Sequence, residues 1–279
     1  MSRDVSGGRL FVSDIDGTLV TPDKQLTPAA LAAVAGLRAA GIPFSVVSSR
    51  PARGMAKVVQ ALELKLPYAA FNGGNVVDPV GGVLTAHRLG GETATTTLRL
   101  MERAGVKPWV FADDAWLLRD LNGPHVEHER RTVGFDPLMV ATFETVIDRI
   151  DKIVAPSDDA ALLDRVEAEL RAAIGASANV ERSQSYYIDV THPLANKGEA
   201  VRAIAAHVGA DLAQTIVIGD MTNDIAMFRV AGFAIAMGQA PEAVKAEAGA
   251  VTAANNNDGF AKAVETLVLP RLATKGENA

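Results

Sequence analysis

The chain has 279 residues, 48% of them hydrophobic, 22% charged and 5% aromatic, proportions that exclude a disordered or collagen-like chain. A formal net charge of −6, without a basic block, argues against nucleic acid or an anionic membrane surface as a partner. There is no cysteine, which removes disulfides, thiolate nucleophiles and Cys-ligated metal centres from consideration.

The opening Met-Ser-Arg-Asp-Val-Ser-Gly-Gly lacks the apolar stretch of a signal peptide. No apolar run reaches the ~18 residues of a membrane span, so a soluble, cytoplasmic protein is expected. Residues 9–14 (RLFVSD) are a short apolar run ending in an acid, the pattern of a buried strand. Residues 28–40 repeat apolar positions at helical spacing, with Thr27 as N-cap, Pro28 at the first helical position and Gly41 as stop. A strand over 43–48, a helix over 52–63 and a strand over 68–72 follow, before Gly73-Gly74. This alternation predicts a parallel sheet with helices on its faces.

After Gly81-Gly82 the rhythm changes. A helix over 93–103 precedes two strands, 107–112 and 116–120, around the turn Asp113-Asp114-Ala115. Residues 125–137 read as polar and irregular. A strand over 147–155, a helix over 160–173 and strands over 180–182 and 186–190 complete an α+β unit with antiparallel pairing. The βα rhythm then returns: helix 197–207, strand 215–219, helix 223–230, strand 233–237 and helices 242–248 and 259–268, with a frayed tail over 274–279. The predicted organisation is one discontinuous α/β domain, residues 1–82 and 193–279, with a second domain inserted over 83–192.

Three strand ends of the parallel half carry polar residues, where open α/β sheets place their ligands. Asp14 and Asp16 follow the first strand; two carboxylates so close repel, and a cation relieves them. The alternative is an acidic turn with Asp16 capping a loop. Ser48-Ser49-Arg50 ends the second strand, where hydroxyls and free N–H groups suit phosphate oxygens, although plain helix capping fits equally well. Asp220, Asn223 and Asp224 follow the strand over 215–219, and a spacing of four brings the two acids to one side of the turn. Two such carboxylate clusters in one sheet point to a Mg2+ site of oxygen ligands. Lys197, at a helix start, is either a point positive charge for that site or an ordinary surface lysine.

DIDGTL, VVSSR, the Lys197-Gly198 pair and GDMTND stand in the order and approximate spacing of the four motifs of the haloacid dehalogenase (HAD) superfamily, which the chain resembles. FNGG, THPLANKGEAV, GFAIAMGQAPEAVKAEA and NNNDGFAKAV resemble its Cof-type subfamily IIB. Ser48-Ser49 stands for the usual Thr-Gly, and FNGG for the commoner Asn-Gly-Ala. The resemblance implies a Rossmann-like α/β parallel-sheet core with an inserted α+β cap of the C2 type. It also implies a Mg2+-dependent phosphatase of a small phosphorylated metabolite, a sugar phosphate foremost.

Residue by residue, the resemblance makes Asp14 the nucleophile that forms an aspartyl-phosphate. Asp16 becomes the acid and then the base, and Asp14, the Asp16 carbonyl and Asp220 become the metal ligands. Asp224 would orient Asp220 or a metal-bound water. The Ile15 amide, Ser48, Ser49, Lys197 and Asn223 would bind the phosphoryl oxygens. A phosphosugar mutase and a non-catalytic metabolite-binding protein on the same fold are the alternatives. The cap is expected to act as a lid, hinged near Gly81-Gly82 and 191–195.

Other conspicuous residues are expected to be structural. His125, Glu127, His128 and Glu129 read as a solvated loop, because their histidines are three apart and not four. Trp109 and Trp116 are expected to cover the apolar face of their hairpin. Arg182, Tyr186 and Tyr187 read as strand packing, with one of them facing the substrate as the alternative. Arg50 and Arg53 read as solvated.

Overall fold

The computed structural model describes residues 8–80 and 82–270; residues 1–7, Gly81 and the tail 274–279, which entered the readings above, lie outside the described residues. Strand β1 (Gly8–Asp14), helix α1 (Pro28–Ala39), strand β2 (Phe44–Val47), helix α2 (Ala52–Ala61) and strand β3 (Tyr68–Ala70) alternate as predicted. Local chemistry fixes the ends of α1. Thr27 Oγ1 accepts the Ala30 N–H at 3.1 Å, Pro28 opens the helix, and Gly41, at φ +70°, turns the chain away. Strands β4 (Asn75–Val77) and β5 (Val83–Ala86) then fold back antiparallel.

Residues 87–90 lead into a second unit. It comprises α3 (Gly91–Arg103), β6 (Trp109–Ala112), β7 (Ala115–Leu118), α4 (Val126–Val133) and β8 (Leu138–Met139), then β9 (Ile150–Pro156), α5 (Ala160–Ile174), β10 (Asn179–Gln184) and β11 (Tyr187–Thr191). The chain returns through 192–196 to α6 (Lys197–Val208), β12 (Ala210–Gly219), α7 (Ile225–Phe228), β13 (Phe233–Ala236), α8 (Glu242–Lys245), β14 (Ala250–Val251) and α9 (Gly259–Ala263).

Among the described residues the strands form two sheets. The eight-stranded one has the order β14-β13-β12-β1-β2-β3-β4-β5 and is parallel from β14 to β3. From β1 the chain moves outward through β2, and only much later returns beside it as β12. The order reverses between those two strands, and a crevice opens at their carboxyl ends. Helices cover both faces, so Leu10, Phe11, Val12, Val46 and Val47 are all fully buried. Phe11 packs with Leu37, Phe44 and Phe260, while Leu10 and Val12 pack with Val201 and Ile204 in a separate cluster.

The six-stranded sheet, β10-β11-β9-β6-β7-β8, is antiparallel except for β7 beside β8. Met101 of α3 and Leu163 and Leu170 of α5 bury Val110 and Ile153. Trp109, Phe111, Trp116, Val154 and Tyr187 pack instead with Met55 and Phe71 of the larger unit. The Phe71 and Phe111 ring centroids are 5.8 Å apart. Since Phe71 directly follows β3, this contact brings the inserted unit to the carboxyl ends of the parallel strands.

Two local readings change. Residues 83–86, assigned from sequence to the inserted unit, are a strand of the larger sheet, so the first crossing lies at 87–90. All four are exposed, and no alternation marks which unit they join. Residues 125–137, read as irregular, contain α4: Val126, Glu129 and Val133 bury one face, and Gly134 ends the helix at φ +77°. A charged residue on the buried face hid the helical period.

Asp151 of β9 joins the two sheets. It is 1% exposed, accepts from Asn75 Nδ2 at 3.2 Å and lies 3.5 Å from the Arg88 guanidinium. Burial raises its carboxyl from 3.8 to about 6, with Asn75 and Arg88 only partly offsetting it. The folded protein therefore holds this proton more tightly than the unfolded chain. Its contribution is full below pH 3.8 and is lost as pH rises through about 6. Asp151→Asn is expected to flatten the fall in Tm over that window; a thermal-unfolding profile identical to wild type would contradict this.

Candidate active site

β1 delivers Asp14 to the crevice, and the chain must turn at once. Gly17 makes that turn at φ +83°, and a Cβ there would run into Asp220 Oδ2. Only glycine lets this loop and the loop after β12 come so close. The Ile15 carbonyl closes the turn by accepting the Leu19 and Val20 N–H groups at 3.0 and 3.1 Å.

Lys197 opens α6, whose N-cap Asn196 accepts the Glu199 N–H at 3.0 Å. The lysine is 2% exposed. Its Nζ donates to Asp14 Oδ1 at 2.7 Å and to Asp224 Oδ1 at 2.6 Å. Asp224 Oδ2 accepts the backbone N–H groups of Asp220 and Met221 at 2.8 and 2.9 Å. Both Asp224 oxygens are thus engaged in holding Lys197 and the turn that carries Asp220. Asp220 accepts from Gln239 Nε2 at 3.3 Å and from Thr18 Oγ1 at 3.4 Å. Asp14 Oδ2 is buried and, among the described residues, has no partner.

Oxygen atoms of Asp14, Asp220 and Asp224 lie within 4.8 Å of one another. Burial raises Asp14 and Asp220, Asp220 to about 6; the other carboxylates push the same way, and Lys197 opposes them. For Lys197, burial favours the neutral amine, but Asp14 and Asp224 outweigh it and keep it protonated. Three carboxylates around one ammonium leave unbalanced negative charge, and every available donor is an oxygen. This chemistry fits a hard divalent cation held by Asp14 and Asp220.

Asp16 points to a different set of partners. Arg50 grips it with Nε to Oδ2 and Nη2 to Oδ1, both at 2.6 Å, and Lys24 Nζ reaches Oδ1 at 2.7 Å. Burial works to raise this carboxyl, but the two cations outweigh it and hold it at about 2. Arg50 is 8% exposed and also donates to the Gly54 carbonyl, which corrects its reading as a solvated residue. Its position two residues beyond Ser48, on a loop after a parallel strand, was the available signal.

Ser48 is fully buried, and its Oγ accepts the Arg50 N–H at 3.1 Å, so it braces the loop. Ser49 is half-buried, and its carbonyl accepts from Lys152 Nζ of the inserted unit at 3.3 Å. Asn223 donates to Asn72 Oδ1 at 3.2 Å. Asn72 itself adopts φ +57°, a left-handed conformation that asparagine tolerates. Lys24, Arg50, Asn72, Lys152 and Gln239 are residues near the site that sequence reasoning missed.

A cavity of about 210 Å³ separates Asp16, Ser49 and Arg50 from Glu129, Lys152 and Tyr187 of the inserted unit. Tyr186 and His128 also line it, with the Tyr186 hydroxyl 3.3 Å from His128 Nε2. His125 bonds Asp158 at 2.8 Å and stacks on Tyr186 at 4.2 Å. Arg182 is engaged by Glu167 and Asp164 at 3.0 and 2.7 Å. Trp109 and Trp116 are buried edge to face, 5.2 Å apart.

The sequence pattern of haloacid dehalogenase-like hydrolases matches residues 11–264. The HMP-PP phosphatase of Cronobacter sakazakii is 28% identical over 239 residues, covering 86% of this chain and 87% of the relative. The pyridoxal phosphate phosphatase YbhA of Escherichia coli is 26% identical over 264 residues, 91% of this chain and 96% of the relative. A haloacid dehalogenase-like hydrolase from Bacteroides thetaiotaomicron superposes with a TM-score of 0.84 at 25% identity, covering 92% of this chain and 98% of that one. A HAD subclass IIB sugar phosphatase gives 0.80 at 24% identity, again over 92% and 98%. No helix among the described residues is long and apolar enough to cross a membrane. With the family pattern spanning both halves of the large sheet and the inserted unit, this chain belongs to the haloacid dehalogenase-like hydrolases, a family of phosphatases.

Proposed function

We propose that this protein hydrolyses phosphomonoesters of small metabolites, a sugar phosphate foremost, in a Mg2+-dependent reaction through an aspartyl-phosphate on Asp14. The observation that carries this reading is Asp14 itself: a buried strand-end carboxylate with one oxygen fixed by Lys197 and the other without a partner among the described residues. Asp14, Asp220 and the Asp16 carbonyl would hold the ion. Bound there, Mg2+ neutralises the carboxylates, so that a dianionic phosphate can approach an anionic nucleophile.

The remaining work falls to side chains and amides of the chain. Lys197, the Ile15 amide, Ser48, Ser49 and Asn223 take the phosphoryl oxygens, where transition-state charge is spread. An Asp14 oxygen bonds to phosphorus as the ester P–O bond breaks. The leaving oxygen takes a proton from Asp16. Asp16 then accepts a proton from the water that attacks phosphorus, which releases inorganic phosphate and restores Asp14.

Asp16 starts this sequence as a carboxylate held ionised by Arg50 and Lys24. A phosphate dianion entering the cavity competes for both cations, and each one drawn away lets Asp16 take up a proton from solvent, the proton it then gives to the leaving oxygen. Asp224 serves by placing Lys197 and the 220–221 turn. The inserted unit, residues 83–192 in the sequence reading, supplies the opposite wall of the cavity and acts as its lid.

The test is phosphate release from a panel of sugar phosphates, nucleotides, pyridoxal phosphate and phosphorylated flavin precursors. Release is expected from at least one of them with Mg2+, to be lost on chelation and restored by added Mg2+. No release from any member of the panel would contradict the reading.

A further inference from the structure

A second cavity, about 520 Å³, opens between α2, the β4–β5 hairpin and the inserted unit's Asp113, Asp114 and Asp151. It shares no lining residue with the cavity beside Asp16. Its volume falls within the ~300–1,000 Å³ of ligand clefts. Its walls are Tyr68 and Val77 with the short side chains of Ala52, Ala56 and Ala86, and those small residues are what leave the room.

The guanidinium groups at the polar end of this cavity are unevenly shared. Arg88 serves two carboxylates at once, Asp113 at 3.2 Å and Asp151 at 3.5 Å. Arg149 adds a second contact to Asp113 at 3.1 Å. Among the described residues Asp114 receives only a backbone N–H, that of Arg53, at 3.2 Å. The Arg53 guanidinium lies instead over the Phe135 ring, 4.5 Å from its centroid. The most buried polar residues of the lining are Asp151 and Asn75, 1% and 8% exposed, and the Asn75 Oδ1 is buried with no donor among the described residues. A buried carboxylate whose guanidinium is shared with Asp113, beside a carbonyl oxygen without a donor among the described residues, is matched by a group with charge and several N–H donors.

We infer that this cavity binds a small organic ammonium with a compact apolar body, its charged end directed at Asp151 and its body against Tyr68 and the alanines. The walls come from both units of the chain, so an occupant ties the inserted unit to α2. This site stands apart from the phosphatase reading and does not depend on it.

The experiment is calorimetric titration of the full chain with phenethylamine, with phenethyl alcohol and phenylacetate as neutral and anionic controls. Saturable binding of the amine is expected, at least about tenfold tighter than either control, the scale of one charge-assisted hydrogen bond. Asp151→Asn should weaken the amine by about tenfold or more and leave the neutral alcohol unmoved. Ala56→Trp, at an exposed helical position, should fill the space and remove binding; it carries the test if the Asp151 variant does not fold. Absence of saturable amine binding in the wild type, equal binding of amine and alcohol, or unchanged binding in a folded Asp151→Asn would each overturn the inference.

Discussion

Replacing Asp14 with asparagine is expected to abolish turnover while the protein stays folded. The substitution keeps the shape and an oxygen that can accept from Lys197, so the 2.7 Å contact survives in weaker form. What disappears is the anionic nucleophile. The loss in kcat/KM should be roughly 10⁴-fold or more, the scale seen when a covalent nucleophile is removed. Stability should hold or rise in the metal-free protein, because one of three mutually repelling buried carboxylates has been neutralised. Steady-state kinetics and thermal unfolding, measured together without and with Mg2+, check both parts. Appreciable activity in Asp14→Asn would contradict the nucleophile assignment.

Lys197→Met should have the largest effect on stability. It leaves Asp14 and Asp224 buried with their shared cation gone. Breaking a buried ion pair by removing one partner costs about 3–5 kcal/mol, part of which the raised carboxyl of Asp14 recovers by taking up a proton. Added Mg2+ should therefore raise the Tm of Lys197→Met by more than it raises that of the wild type, since the ion replaces missing charge. Activity should remain low even with the ion present, because a phosphate-binding ammonium is missing. A variant with wild-type Tm and no enhanced response to Mg2+ would show that Lys197 does not neutralise the pair.

The parts of this site that were legible in the sequence are those with a local cause. RLFVSD and TIVIG are apolar runs that must be strands buried on both faces, so Asp14 and Asp220 are fixed at strand ends by counting alone. Lys197 was placed by its helix start, yet its burial between two carboxylates depends on strands far away in sequence. The spacing of four placed Asp224 on one side of the turn with Asp220, and in the structure the link between them runs through backbone N–H groups. Arg50 was misread because an arginine at a helix start is usually solvated, and only the fold brings Asp16, thirty-four positions away, to meet it. Lys152 and Gln239 have no local signal at all; they reach the site by tertiary contact, from the inserted unit and from the loop after β13. Helix α4 escaped because Glu129 stands where an apolar residue would have shown the period.

The most direct measurement is a search for the covalent intermediate itself. Asp16→Asn keeps the nucleophile and removes the group that protonates the leaving oxygen and then activates water. With an aryl phosphate, whose leaving group departs without a proton, only the second step is blocked, so a phosphoenzyme should accumulate. The variant is mixed with Mg2+ and an aryl phosphate that the wild type hydrolyses, quenched in acid, digested and read by mass spectrometry. The expected result is one phosphoryl group on the peptide containing Asp14, discharged by hydroxylamine and missing when Asp14 is also replaced by asparagine. An aryl phosphate turned over by the wild type that leaves no phosphoryl group on Asp14 of this variant would contradict covalent catalysis at that residue.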